Sequence, residues 1–269
     1  MRVVHRLSLF GLAIAVLSAA FFFAADREER RLLDDFIARA LNGVDRADTS
    51  AVVLALSHRV HESTNRGVPA DSLDLYEWLE STSVFNMTTA VSLRRGAFGV
   101  VGHEPFGPCG TMTRVLLNAC WRLGIPARKL QLIPESAATP EIHTLVEWRS
   151  GGRWQVVSPS DDFAWRARDG RWATIEEIGA DTAIAAQVRD RNPWFRYTFG
   201  RPRHMRWEKL PAPGRAAIRT LLGERRYEAM ETPRLYDQPR KLLLGVALLG
   251  VLCCSLGALA TRAARRALW

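Results

Sequence analysis

One cysteine of this chain stands where a helix is predicted to begin, a position that activates a thiol. Cys109 lies in the run Phe106-Gly107-Pro108-Cys109-Gly110, directly before a strongly helical stretch. A helix N-terminus presents unpaired N–H groups and a partial positive charge, and both favour a thiolate over a thiol. Glycine on either side lets a substrate approach the backbone closely. The alternative is a small buried apolar side chain, but we predict that Cys109 is a nucleophile.

A cysteine nucleophile needs a base, and the base needs a partner that orients it. His143 opens the alternating stretch 143–148 (HTLVEW). The Gly151-Gly152 pair that follows predicts a two-residue hairpin, in which paired positions sum to 303. Ser158 then becomes the diagonal neighbour of His143 on the same face, about 7–8 Å away between backbones. The pattern therefore predicts a general base, His143, with Ser158 as its orienting group.

Asp161 is the fallback for the orienting group. Strand alternation turns Asp161 to the wrong face unless Pro159 bends the chain, and a solvated turn is the ordinary explanation for both Asp161 and Asp162. A carboxylate would stabilise an imidazolium, whereas the hydroxyl of Ser158 offers only a neutral hydrogen bond, about 1 kcal/mol or more weaker. We keep Ser158 as the first choice by position and Asp161 as the fallback.

The remaining cysteines and histidines fit structural roles. Cys120 lies eleven residues after Cys109 in the same predicted helix, about 16 Å away, so the two cannot form a disulfide. No CxxC motif and no Cys/His cluster is present, so we predict neither a metal nor an organic cofactor. The other side chains of these types are expected on helices, in loops, among basic residues or in an apolar run: His5, His58, His61, His103, His204, Cys253 and Cys254.

The elements that must position this site change character along the chain. Helical spacing of apolar residues predicts helices at 27–42, 47–66, 74–80 and 111–123, with residues 81–108 mostly in loops. Alternating or β-rich runs follow at 127–133, 142–148 and 153–158. Helices followed by antiparallel strands are typical of an α+β fold rather than a doubly wound sheet.

Two uncharged runs of 19 residues, 7–25 and 242–260, flank this body. At 1.5 Å per residue each nearly spans the ~30 Å of a bilayer core, so we predict two transmembrane helices. A cleaved signal peptide remains the alternative for the first run, although its bulky phenylalanines disfavour cleavage. A buried core helix is the alternative for the second. The predicted domain organisation is an anchor or signal peptide at 1–25, an extracytoplasmic domain at 26–241 with its core at 47–175, a second span at 242–261 and a basic cytoplasmic tail at 262–269.

The net charge of +9 does not indicate a nucleic-acid-binding protein. The terminal segments 1–25 and 242–269 hold five arginines and no acidic residue, so the body keeps 32 basic and 28 acidic residues. Short basic tails remain on the cytoplasmic side of a membrane, whereas long loops translocate largely regardless of charge. We therefore predict an inner-membrane protein with both termini in the cytoplasm and a periplasmic body.

Four short segments carry a family resemblance: 107–110 (GPCG), 123–128 (LGIPAR), 143–148 (HTLVEW) and 154–159 (WQVVSP). Together they resemble the transglutaminase-like superfamily of cysteine enzymes over residues 107–165, with weaker similarity back to about residue 47. Membrane-anchored bacterial members have a similar overall plan. The resemblance implies a papain-like α+β core in which Cys109 is the nucleophile and His143 the base. It departs at Ser158, where the family usually has an aspartate before the proline.

The expected function is a membrane-anchored, extracytoplasmic enzyme that acts on amide or peptide bonds of a protein or peptide substrate. A thioester on Cys109 would pass to water or to an amine, and the sequence leaves both outcomes open. The alternative is a catalytically degenerate domain that binds a protein or an envelope polymer beside a membrane-bound assembly. Ser158 is the residue that favours this alternative.

Overall fold

A computed structural model describes residues 2–64, 66–69, 93, 97–101, 108–135, 142–205, 207 and 210–267. The helix predicted at 74–80, most of the loop predicted at 81–108 and His103 lie outside these residues. The chain divides into two compact units: Met1–Arg31 with Gln238–Trp269, and Leu32–Asp237.

The first unit contains two long apolar helical segments. One is the part of α1 (Arg2–Ala40) up to Arg31, and the other is α8 (Pro239–Ala267). Both helices contain stretches long and apolar enough to cross a membrane, Arg6–Ala40 and Pro239–Ala264, with mean hydropathies of 2.3 and 2.5. The apolar run at 7–25 and the helix predicted at 27–42 form one continuous helix, which ends at Ala40. The helix continues through Asp26, whose carboxylate pairs with Arg30 one turn later, a contact that supports helical continuity.

Small residues line the contact between α1 and α8. A Cβ atom added to Gly11 would lie 3.1 Å from Sγ of Cys254, and one added to Gly250 would lie 3.4 Å from Cβ of Ala15. Close backbone approach at small residues is typical of helix pairs in membranes. The contact positions rise along α1 as they fall along α8, so the two helices are antiparallel.

The second unit is built on a five-stranded sheet in the order β6-β5-β4-β3-β7, with every neighbouring pair antiparallel. Its strands are β3 (Ala127–Pro134), β4 (His143–Ser150), β5 (Arg153–Ser158), β6 (Phe163–Ala164) and β7 (Tyr197–Arg203). A separate parallel pair joins β1 (Arg66–Pro69) to β2 (Ala97–Val101). The predicted α+β class with antiparallel strands is confirmed.

The hairpin between β4 and β5 has the predicted register. Gly151 and Gly152 adopt φ values of 58° and 80°, which glycine reaches without steric cost and which a tight two-residue turn requires. Ser150 then pairs with Arg153, and the ladder continues in step to Val146 and Val157.

Helices cover the two faces of this sheet. The first core lies under α2 (Thr49–Thr64) and α3 (Pro108–Arg122) and contains Trp148, which is fully buried. The second core lies under α4 (Ile175–Ala180) and α5 (Thr182–Ala186) and contains fully buried Trp165. Two further helices, α6 (Ala212–Leu222) and α7 (Glu224–Glu228), follow β7.

A buried group of three charges ties α3 and β3 to the end of this unit. Lys129 Nζ lies 2.5 Å and Arg114 Nε 3.4 Å from Oδ1 of Asp237, and all three side chains are at most 7% exposed. Asn118 donates a hydrogen bond of 2.9 Å to the carbonyl oxygen of Asp237. The carboxylate thus offsets two buried positive charges and fixes the helix that begins with Cys109 against the sheet.

Candidate active site

The helix α3 begins at Pro108, three residues before the predicted start at 111, so Cys109 lies in its first turn rather than directly before it. One turn further on, Thr113 Oγ1 donates a hydrogen bond of 3.1 Å to the carbonyl oxygen of Thr144, which fixes the start of α3 against β4. The thiol of Cys109 lies 3.9 Å from the carbonyl oxygen of Ile142. The first residues of the helix and the strand therefore meet at one end of the sheet.

The imidazole of His143 lies beside the thiol of Cys109, and each acts on the charge of the other. Burial favours the neutral thiol, but the hydrogen bond and positive charge of His143, helped by hydrogen bonds from Thr144, outweigh it and lower the pKa of Cys109. By contrast, burial alone raises the pKa of Cys120 to about 12. The structure thus separates one activated thiol from one inert thiol on the same helix.

The other side of His143 faces a carboxylate. Its Nε2 lies 2.9 Å from Oδ2 of Asp161 and 3.4 Å from Oγ of Ser158. The hydroxyl of Ser158 in turn donates a short hydrogen bond to the same oxygen of Asp161. These acceptors favour a proton on Nε2 of His143.

Asp161 is therefore the direct orienting group for His143, and Ser158 supports it. The alternation argument that placed Asp161 on the wrong face is wrong because β5 ends at Ser158. Residues 159–162 form the turn that leads into β6, where Phe163 pairs back with Ser158. The side chain of Asp161 is only 5% exposed. The expectation of a solvated turn thus fails for this residue.

Three side chains from outside the turn hold it in place. Asn192 donates a hydrogen bond of 2.7 Å to the second carboxylate oxygen of Asp161. From α2, His58 Nδ1 lies 2.8 Å from Oδ2 of Asp162, and His61 Nδ1 lies 3.2 Å from the carbonyl oxygen of Pro159. Asp162 adopts φ 49°, a conformation that is uncommon outside glycine and is retained here by its surroundings.

Two aromatic rings fix the plane of the imidazole. Tyr197 stacks on His143 with ring centroids 4.7 Å apart, and Phe195 meets it edge-on at 5.2 Å. Sequence reasoning missed these residues and Asn192, since they lie in a stretch rich in aromatic and basic residues that shows no clear period. Their contribution becomes visible only once β7 is paired with β3 beside the site.

The charges of the site reinforce one another. Burial disfavours the imidazolium, but the hydrogen bonds and negative charges of Asp161 and Cys109 outweigh it and raise the pKa of His143 to about 9. Burial likewise favours a neutral carboxyl, but the hydrogen bond and charge of His143 lower the pKa of Asp161. These opposite shifts favour the charged form of each group: the thiolate, the imidazolium and the carboxylate.

The histidine at position 204, which the sequence analysis assigned a structural role, does not contact Cys109, His143 or Asp161 in any described interaction. His204 lies against the buried carboxylate of Glu147, 2.7 Å away, together with Arg128. Within the described ranges, no group of three or more His, Cys, Asp or Glu residues is arranged to hold a metal ion.

Comparison with family models, with curated proteins and with solved structures finds no match for the chain. The chemistry open to this site therefore follows from its own side chains. A buried thiol beside an imidazole that a carboxylate orients is the arrangement of a cysteine nucleophile with its acid–base partner.

Proposed function

We propose that the chain is a membrane-anchored cysteine enzyme of the transglutaminase-like type, acting on amide or peptide bonds through an acyl-enzyme. The observation that carries this proposal is the series in which Cys109 contacts His143 and His143 contacts Asp161. The sequence segments that resemble transglutaminase-like enzymes contain Cys109 and His143. A papain-like core is part of the same proposal.

The proposed reaction uses both ends of the imidazole. The thiolate of Cys109 attacks the carbonyl carbon, and N–H groups at the start of α3 stabilise the oxyanion. The imidazolium of His143 gives its proton to the leaving amine as the C–N bond breaks, leaving a thioester. His143 then removes a proton from water or from a second amine, which attacks the thioester and releases the thiolate.

In this proposal Asp161, the fallback of the sequence analysis, is the group that orients His143. Its negative charge stabilises the imidazolium that accompanies the thiolate, as a neutral hydroxyl cannot. The alternative of a degenerate binding module depended on Ser158 standing alone as the third member. A carboxylate 2.9 Å from the imidazole removes that reason.

The proposed location follows from the two apolar helices. Both termini would lie in the cytoplasm, and Leu32–Asp237 would lie in the periplasm. The substrate would then be a protein or peptide of the cell envelope, within reach of a membrane-held enzyme or of an assembly that contains it.

A peptidyl probe with a thiol-reactive, glutamine-like warhead tests the proposal on the full chain in lipid nanodiscs. We expect rapid, saturable labelling of Cys109, abolished in Cys109→Ser and reduced at least tenfold in His143→Ala. Cys120 provides an internal control, because burial raises its pKa to about 12. Labelling of Cys109 no faster than that of an ordinary thiol peptide would overturn the enzyme proposal and favour a binding module.

A further inference from the structure

A cavity of about 520 Å³ opens in the second unit, and none of its lining residues belongs to the candidate active site. Its lining combines basic side chains with an aromatic pair. Four arginines contribute to it: Arg201, Arg203, Arg215 and Arg219. Among its lining residues in the described part of the chain, Glu228 is the one acidic side chain.

Two secondary-structure elements, β7 and α6, bring these four arginines together. Arg201 and Arg203 both line the cavity from the end of β7, where the pairing with β3 is irregular. Arg215 and Arg219 are four positions apart on α6, so they lie on one side of the helix. Like charges at these spacings repel one another. An anion in the cavity would reverse that cost.

Two stacked aromatic rings contribute to the lining of the cavity. Trp207 and Tyr227 stack with ring centroids 3.9 Å apart and an interplanar angle of 13°, and both are at most 7% exposed. The guanidinium of Arg219 lies 4.9 Å from the centre of the Tyr227 ring, and its Nε lies 3.1 Å from Glu224. These contacts place Arg219 beside the aromatic pair in the cavity lining.

We propose that this cavity binds a phosphate-bearing ligand. Guanidinium groups bind phosphate oxygens in bidentate pairs, and a phosphate group offers enough oxygens to accept from several arginines at once. The volume also exceeds what a single small anion fills, which leaves room for an organic group against Trp207 and Tyr227. Both lipid head groups and soluble phosphate esters supply this chemistry.

The test uses the full chain in nanodiscs of phosphatidylcholine, titrated by calorimetry with inorganic pyrophosphate. A parallel series adds phosphatidylglycerol to the nanodiscs and measures its retention by native mass spectrometry. We expect Arg201→Gln and Arg215→Gln each to weaken binding about 10-fold or more, and Arg215→Lys to weaken it less. Arg226→Gln is the matched control, because Arg226 is exposed on α7 and does not line the cavity.

Each outcome decides the matter. Binding of pyrophosphate that is lost in the cavity variants supports a soluble ligand, and loss of phosphatidylglycerol retention supports a lipid. Absence of saturable binding in both series overturns the proposal. Equal weakening by Arg226→Gln also overturns it, since that result means attraction to general surface charge. Unchanged melting temperatures show that the variants are folded, and Cys109 labelling is expected to be unaffected.

Discussion

The carboxylate of Asp161 lies 2.9 Å from Nε2 of His143, although Asp161 stands in a turn three residues past the end of β5. The reversal of the chain at 159–162 brings it there, and Asn192 and Ser158 hold it by hydrogen bonds. The residue that completes the site is therefore placed by a loop, while the nucleophile and the base are placed by a helix and a strand.

The first prediction ranks the two groups beside His143. Asp161→Asn removes the charge but keeps the shape, so the alkylation rate of Cys109 at pH 7 should fall about 10- to 100-fold, the value of a charge-assisted hydrogen bond. Ser158→Ala removes only a supporting hydroxyl and should cost less than about 10-fold. Mass spectrometry of each cysteine-containing peptide gives the rates, with Asp169→Asn in an exposed turn as control. A larger effect from Ser158→Ala would show that Ser158 is the orienting group.

The second prediction concerns the contact between α2 and the 159–162 turn. The hydrogen bond to Asp162 raises the pKa of His58 above its ordinary value of 6.5. A raised pKa stabilises the folded state fully below pH 6.5 and ceases to do so as the pH rises through the raised value. His58→Ala should therefore lower the melting temperature at pH 6 and have less effect at alkaline pH. Ser63→Ala on the same helix is a control without a titrating group, and a pH-independent loss in His58→Ala would contradict the prediction.

The third prediction concerns the buried charges beneath α3. Asp237→Asn leaves the positive charges of Arg114 and Lys129 buried without this counter-charge, so the free energy of unfolding should fall by about 3–5 kcal/mol. Lys129→Met leaves one positive charge with Asp237 and should cost less. Urea unfolding of the full chain in detergent measures both losses. The account of this cluster fails if Lys129→Met is the more damaging change.

The fourth prediction concerns the two apolar helices. Because α1 and α8 are antiparallel, a membrane that both helices cross would have the two chain termini on one side. Green fluorescent protein fused to either terminus should fluoresce in the cytoplasm, while alkaline phosphatase inserted after Gly223, the C-cap of α6, should be active. Fluorescence from one terminus only would show that the helices do not form a membrane-spanning pair.

The sequence predicted the helix and strands of the site because their signals are local. The glycine pair at 151–152 determines the register, and that register puts His143 and Ser158 on one face. The start of the helix at Cys109 follows from local composition in the same way. These are the features in which a short stretch of chain determines its own conformation.

The remainder of the site depends on contacts between distant segments. Asp161 reaches His143 because the chain turns back into β6, and Tyr197 lies beside His143 because β7 pairs with β3. Asn192 and His58 reach the 159–162 turn from 31 and 104 positions away from their partners in the chain. Periodicity contains no information on such contacts, which explains why the sequence ranked Ser158 above Asp161.

The alkylation rate of Cys109 as a function of pH tests the central claim most directly. In the wild-type chain the rate should rise at a lower pH than that of an ordinary thiol, because the hydrogen bond and charge of His143 outweigh burial and lower the pKa of Cys109 below the ordinary value of 9.0. In His143→Ala the thiol keeps the effect of burial, which raises its pKa, but loses the hydrogen bond and charge of His143, so the rate should rise at a higher pH than in the wild type. Superimposable profiles for the two proteins, each rising at or above pH 9, would contradict a thiolate stabilised by His143.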